Sequence, residues 1–500
     1  MPLTLEIDPR RVIGKRDPML YGHFLEHFHR QIYGGIFDPG NPLSDEDGFR
    51  TDILEAMKKI RVPVIRWPGG CFVSSYHWHD GVGKNRIPSF DKAWRVEDPN
   101  TFGTDEFVKL CRKLGCEPYI CTNAGTGTIE EMSDWVEYCN LPSEGRFARE
   151  RIANGYPAPH RVKYWSIGNE NYGHWELGAK SPEEWPRLVR EAAKLMSHAD
   201  PRIELSAAAL ADLDWTYGLL KHCGPYLKWI SLHQYWDMMP EKNEPADYEA
   251  AMAFTHGVDR SVEVARGLLT SLGLEKKISV AFDEWNLRSW HHPRVHSLPL
   301  GAEREEYLLP RDKNDDNSTY TMADAVFSAC FLNAMNRNCD LVKMANFAPI
   351  LNTRGAIMSH RDGIVLRSTY HVFDLYVNRL GDAVIDLWHP EPAPIWRVRG
   401  KDGAEKTVET LDLLATKRSD GKGIALSAVN KHAEKAAEIA LSLPEEGQRV
   451  RIFTLNGPDK DSYNDIGRDE VGIAETDLGP YRKGMRIALP PHSVNIVEIA

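Results

Sequence analysis

The chain has 500 residues, a net charge of −11 and a hydrophobic fraction of 42%. Its length exceeds one average domain, although an α/β barrel can hold roughly 200–250 residues in one. The acidic balance weighs against nucleic acid and anionic membranes as partners, and the composition is that of a folded chain rather than a disordered one.

The N-terminal segment MPLTLEIDPRRVIGK alternates (Leu3, Leu5, Ile7) and reads as a strand. It shows no apolar h-region of a signal peptide. No apolar run approaches the roughly 20 residues needed to span a bilayer. The 8 cysteines are scattered, with neither CxxC nor zinc-type spacing. Free thiols in a reducing cytoplasm follow as the expectation.

Short β-branched or aromatic runs then recur, each followed by a helical pattern. The strands are predicted at 19–24, 62–67, 118–123, 162–169, 203–208, 229–235, 278–284 and 341–346. Between them, Phe107, Leu110, Cys111 and Leu114 make one helical stripe that ends before Gly115. Thr128 with Glu131, and Ser181 with Glu184, read as capping boxes. Further helices are predicted near 261–272, 319–337 and 367–380, with Gly273 and Gly381 as terminators.

Eight such units suit a closed (β/α)8 TIM barrel better than an open doubly wound sheet, because the first strand runs into HFLEHFH with no GxGxxG turn. After Gly381 the pattern changes to short alternating runs (TLDLLATKR, GIALSAVN, RVRIFTL, MRIALP, SVNIVEI). These predict an antiparallel, jelly-roll-like β-sandwich. The expected organisation is residues 1–15 as a strand joining the sandwich, 16–380 as the catalytic barrel and 381–500 as the sandwich.

A barrel presents its chemistry at the C-terminal ends of its strands. Here seven of the eight ends are polar: Glu26, Arg66, Asn123, Asn169 with Glu170, His233 with Tyr235, Asp283 with Glu284, and Asn346. Glu170 and Glu284 are the leading pair. Two carboxyl groups about 5 Å apart suit a retaining glycosidase, and a gap of roughly 6.5–9.5 Å an inverting one. Tyr21, Phe24, Trp67, Trp94, Trp165, Tyr235, Trp236, Trp285 and Trp290 fall near these ends and are candidate sugar-stacking rings, though any single ring is better explained by packing. A metal-dependent hydrolase is the rival, with His23, His27, His29, His77, His79, His233, His291 and His292 as ligand candidates. It lacks a clean HxH at the tip of the first strand, since His27 and His29 follow Glu26 in a loop, and it lacks a bridging lysine, so neither metal nor cofactor is expected. A sugar-binding protein without activity would need no paired carboxylates.

Six stretches carry a resemblance: YGHFLEHFHRQIYGGI (21–36), VPVIRWPGGCFVSSYHWHDGVG (62–83), FGTDEFVKLCRKLGCEPYI (102–120), SIGNENYG (166–173), SLHQYW (231–236) and DEWN (283–286). With them the chain resembles the α-L-arabinofuranosidases of glycoside hydrolase family 51. The resemblance implies Glu170 as general acid/base and Glu284 as nucleophile. It also implies Glu26, Arg66, Cys71, Asn169 and Tyr235 around the furanose, and Trp94 on the aglycone side. The substrates implied are arabinofuranosyl oligosaccharides from arabinan or arabinoxylan, and the assembly a homo-oligomer, a hexamer. An acid/base role leads to the expectation of a raised pKa at Glu170. Two departures stand out. Pro349 occupies the place of a family glutamine, with Asn352 or Asn346 as candidate replacements, and Arg288 with an extended 287–318 loop follows DEWN, with Trp290 as candidate for the missing tryptophan. Relatives acting as β-xylosidases or endoglucanases define the alternative.

Overall fold

The computed structural model describes residues 2–237, 244–289, 315–421 and 423–500. Leucine and isoleucine at alternate positions give the first strand, β1 (Leu3–Lys15), one buried face over its first half. The barrel then closes from eight parallel strands: β2 (Gly22–Phe24), β3 (Val64–Trp67), β4 (Glu117–Thr122), β5 (Tyr164–Ile167), β6 (Glu204–Ala209), β7 (Trp229–Asp237), β8 (Ser279–Arg288) and β9 (Val342–Phe347). Pairing of Asn346 with Gly22 joins β9 to β2 and completes the ring.

The period-2 pleat stacks side chains inside this ring in layers. Val64, Tyr119, Tyr164, Trp229, Ala281 and Met344 form a separate apolar cluster, one residue from each of six strands. Two residues further along the same strands, and along β6, stand Arg66, Cys121, Ser166, Ser206, Ser231, Asp283 and Asn346, all buried. An apolar plug therefore carries a polar floor. Within that floor Asp283 accepts hydrogen bonds from Tyr119 Oη at 2.7 Å and Ser231 Oγ at 2.6 Å, and lies 3.6 Å from Arg66 Nε. Breaking such a buried pair by removing one partner costs about 3–5 kcal/mol.

Strict alternation would send Glu284 out of the barrel if Asp283 points in. The β8 ladder shifts register between Ala281 and Glu284 against β7, and between Phe282 and Trp285 against β9. This bulge lets consecutive acids both face the lumen, while Trp285 stacks outside on Phe331 at 4.2 Å.

The C-terminal strands form one nine-stranded ladder that includes β1, paired antiparallel to Ala383–Trp388 and parallel to Ala437–Ser442. Otherwise its pairings are antiparallel. Leu5, Ile385, Leu426, Ile439, Ile452, Ile487 and Val497 come from seven of its strands and share one core, so the ladder folds over itself as a sandwich. Its other face, with Val384, Leu414, Val429, Leu455 and Ile496, joins the barrel core. Between the two lies helix Met322–Arg337, buried at every position except Arg337. Thr128 and Ser181 cap as read from the sequence, the latter reciprocally with Glu184. Gly381 does not terminate a helix in the left-handed conformation. The helix Ser368–Arg379 ends at an extended Leu380, and a Cβ on Gly381 would strike the Lys417 backbone.

Candidate active site

The barrel mouth gathers the expected residues around two carboxylates. Glu284, at the β8 bulge, accepts from Arg66 Nη1 at 2.9 Å and from Tyr235 Oη at 2.6 Å. Glu170 follows β5 through a tight turn in which Gly168 and Glu170 have φ of +68° and +45°. A side chain at Gly168 would collide with Asn171, Trp185 and Ala124, so glycine is required there. Glu170 accepts from Trp175 Nε1 at 2.8 Å, and its Oε1 lies 2.9 Å from His233 Nδ1. That nitrogen is also 3.4 Å from Glu284 Oε2. One oxygen from each glutamate and one His233 nitrogen thus fall within 4.8 Å of one another.

Asn169 bridges the floor and the mouth. Its Oδ1 accepts from Arg66 Nη2 at 2.8 Å, and its Nδ2 donates to Glu176 Oε2 at 3.2 Å. Glu26 accepts three hydrogen bonds on Oε1 alone: from the Gly70 and Phe72 backbone N–H groups at 2.9 and 3.1 Å, and from Trp94 Nε1 at 3.2 Å. Trp94 packs on Phe28 with ring centroids 3.7 Å apart. Gly70 leaves room beside the pair, since a Cβ there would stand 3.3 Å from Glu284 Oε2. Cys71 is partly exposed and lies close to Glu170 and Glu176.

The electrostatics correct one expectation. Burial opposes ionisation of Glu170, but the His233 hydrogen bond, that ring's charge and the Trp175 N–H outweigh it, so its pKa is lowered, not raised. Burial likewise works against charging His233, yet the Glu284 and Glu170 carboxylates raise it. Glu284 is raised by burial, with the Glu170 charge adding to this and His233, Arg66 and Tyr235 opposing it. Glu26 is raised well above the carboxylate range by burial and by the charge of Glu284. The two shifts are linked through the 2.9 Å contact, each group favouring the charged form of the other.

Several other expectations change. Asn352 does not join the carboxylates: its amide donates to Arg30 O and Ser359 Oγ, and its oxygen accepts from Ser359 N. Asn346 donates to His23 O. Arg288 is buried against Asp237 at 3.2 Å and donates to the Thr319 and Glu244 carbonyls. Tyr21, Phe24, Trp67, Trp165 and Trp285 are core rings, and Trp236 packs on Phe254 and Phe327. Trp290, His291 and His292 lie outside the described residues. Of the remaining histidines, His27 pairs with Asp98, His77 with Glu131 and His79 with Glu150. Among the described residues, the groups that could hold a cation are Glu170–His233–Glu284 and Cys71–Glu170–Glu176.

Sequence reasoning missed Trp175 and Glu176; it read His233 both as a polar strand end beside Tyr235 and as a metal-ligand candidate, and did not place it between the glutamates. The strand-end position of His233, two residues before Tyr235 and so on the same face, was the available signal.

Family models describe residues 56–252 as an α-L-arabinofuranosidase 1 domain and residues 283–493 as an α-L-arabinofuranosidase C-terminal domain. The chain is 35% identical to α-L-arabinofuranosidase C of Emericella nidulans, across 99% of this chain and 97% of that one. It is 34% identical to an intracellular exo-α-(1→5)-L-arabinofuranosidase of Acetivibrio thermocellus, across 99% of both. The structure superposes on the thermostable GH51 α-L-arabinofuranosidase of Thermotoga petrophila with a TM-score of 0.87 at 32% identity, covering 100% of both chains.

Proposed function

The chain belongs to the α-L-arabinofuranosidases of glycoside hydrolase family 51, a retaining family, and on that premise we propose that Glu284 is its nucleophile and Glu170 its acid/base. The observation that carries this reading is the short gap. Carboxylate oxygens within 4.8 Å of each other fit the close pair of a retaining enzyme better than the roughly 6.5–9.5 Å separation of an inverting one.

In the first step Glu284 attacks the anomeric carbon as the glycosidic bond breaks, and the leaving oxygen takes a proton from Glu170. In the second, Glu170 removes a proton from water, whose oxygen displaces Glu284 and restores the original configuration. Arg66 and Tyr235 favour the ionised nucleophile. His233 beside Glu170 forms with it a proton-sharing pair, so the proton for the leaving group comes from the pair rather than from an isolated raised carboxyl. Asn169 and Glu26 hold the furanose hydroxyls, Cys71 borders them, and Trp94 lines the aglycone side.

The substrates are terminal α-L-arabinofuranosyl groups on oligosaccharides derived from arabinan or arabinoxylan. A cytoplasmic location in arabinan catabolism is supported by the intracellular relative and by 8 free cysteines, 7 of them buried. Among the described residues no helix is long and apolar enough to cross a membrane. The assembly is a homo-oligomer, a hexamer by family resemblance, which light scattering measures directly. A panel of aryl α-L-arabinofuranoside, β-D-xyloside and β-D-glucoside tests the substrate assignment. Brisk cleavage of the xyloside with none of the arabinofuranoside would overturn it.

A further inference from the structure

Six residues beyond Glu170, the same loop buries a second carboxyl at the site. Glu176 is 4% exposed, and one oxygen of it, one of Glu170 and the Cys71 sulfur lie within 4.8 Å of one another. Ser74 and Cys71 stand beside it, and Asn169 Nδ2 donates to it. Burial, with the Glu170 charge adding, pushes it up to about 7. This is an expensive place for a carboxyl.

The loop does not need that carboxyl for its shape. Backbone bonds from Gly173 N to Glu170 O (2.7 Å), Glu176 N to Gly173 O (3.0 Å) and Lys180 N to Asn171 O (2.7 Å) already close it. The carboxyl instead acts on Asn169. A side-chain amide offers one oxygen and two N–H groups. Arg66, which can only donate, claims the oxygen and so fixes which way the amide faces. Glu176 claims one N–H. One donor is left, on a residue that adjoins Glu170 in sequence and shares Arg66 with Glu284.

We propose that Glu176 is a positioning residue for this reaction: it anchors the Asn169 amide so that the remaining N–H is aimed at the hydroxyl next to the anomeric carbon. The inference rests on the roles given above to Glu170 and Glu284. A hydrogen bond at that hydroxyl strengthens as the transition state forms. Loosening it therefore lowers kcat and kcat/KM together and leaves KM nearly unchanged.

A double-mutant cycle with Asn169 tests the proposal, using an aryl α-L-arabinofuranoside with an unactivated leaving group. Glu176→Leu is expected to lower kcat about 10- to 100-fold with KM changed by less than about threefold. Glu176→Gln keeps an oxygen acceptor for Asn169 and recovers most of that loss. In an Asn169→Ala background, Glu176→Leu costs less than about a further twofold, because the group it acts through is gone. If the leucine variant does not fold, Glu176→Ser takes its place in the cycle. A full additional loss in the Asn169→Ala background, or a Gln variant as impaired as the Leu variant, would overturn the role. Neither result touches the assignment of Glu170 and Glu284, which stands or falls on the stereochemistry of their own alanine variants.

Discussion

Tyr235 and Glu284 are joined by a 2.6 Å hydrogen bond in which the phenol donates to the carboxylate. With Arg66 Nη1 at 2.9 Å, this is one of two donors on the buried carboxylate proposed as nucleophile. Tyr235→Phe removes a donor that favours the ionised form, so the Glu284 pKa rises further. The acidic limb of kcat/KM moves to higher pH, and activity at its optimum falls roughly 10- to 100-fold. A variant whose acidic limb stays in place would separate Tyr235 from the ionisation of Glu284.

His233 sets the other limb. It is raised above its ordinary value of 6.5 by Glu284 and Glu170, while Glu170 is lowered. Activity that needs a proton on this pair is retained below the raised pKa and lost as pH climbs through it. His233→Gln leaves Glu170 to carry the proton alone, so the alkaline limb is expected to move to lower pH. A pH–rate profile with an unmoved alkaline limb would exclude proton sharing.

Dialysis against EDTA is expected to leave full activity, because the roles proposed for the two glutamates need no Lewis acid. The measurement matters here, since Glu170, His233 and Glu284 are spaced as a cation site would be. Loss of activity restored by one divalent metal would revive the metal-dependent reading.

His23 offers a test of the frame rather than the chemistry. It is fully buried against Phe347 and Phe373, and burial lowers its pKa to about 3. The folded state thus prefers the neutral ring. The stabilisation is complete above the unfolded value of 6.5 and is lost as pH falls from there towards 3. The loss is about 1.4 kcal/mol per pH unit. Thermal midpoints between pH 6.5 and 4 should therefore fall less steeply for His23→Leu than for the parent. Parallel slopes would show that His23 charges freely in the fold.

The barrel and the meeting of Glu170 with Glu284 were legible because both follow from local pattern: apolar strands ending in polar residues. Glu26, Arg66, Asn169 and Tyr235 converge for the same reason. What was not legible depends on geometry that pattern does not encode. The register shift in β8 turns Glu284 inward beside Asp283, where a period of 2 would separate them. The tight turn at Gly168 and Glu170 brings Trp175 and Glu176 back to Glu170, although neither lies at a strand end. Most aromatics near the strand ends went to the core, because a large ring gains more from full burial than from facing a wet cleft. Asn352 failed as a replacement for the glutamine because Arg30 and Ser359 already use its amide. The pKa of Glu170 escaped prediction because its direction is set by His233, 63 residues away in sequence.

The assignment of the two glutamates is tested most directly by the stereochemistry of azide rescue. Glu170→Ala should still be glycosylated by a substrate with a dinitrophenolate leaving group, which needs no proton, and then stall for want of a base. Azide should accelerate this variant and yield a glycosyl azide of retained configuration. Glu284→Ala forms no covalent intermediate, so azide can give only the inverted product. The opposite pairing, inversion from Glu170→Ala and retention from Glu284→Ala, would contradict the account and make Glu170 the nucleophile.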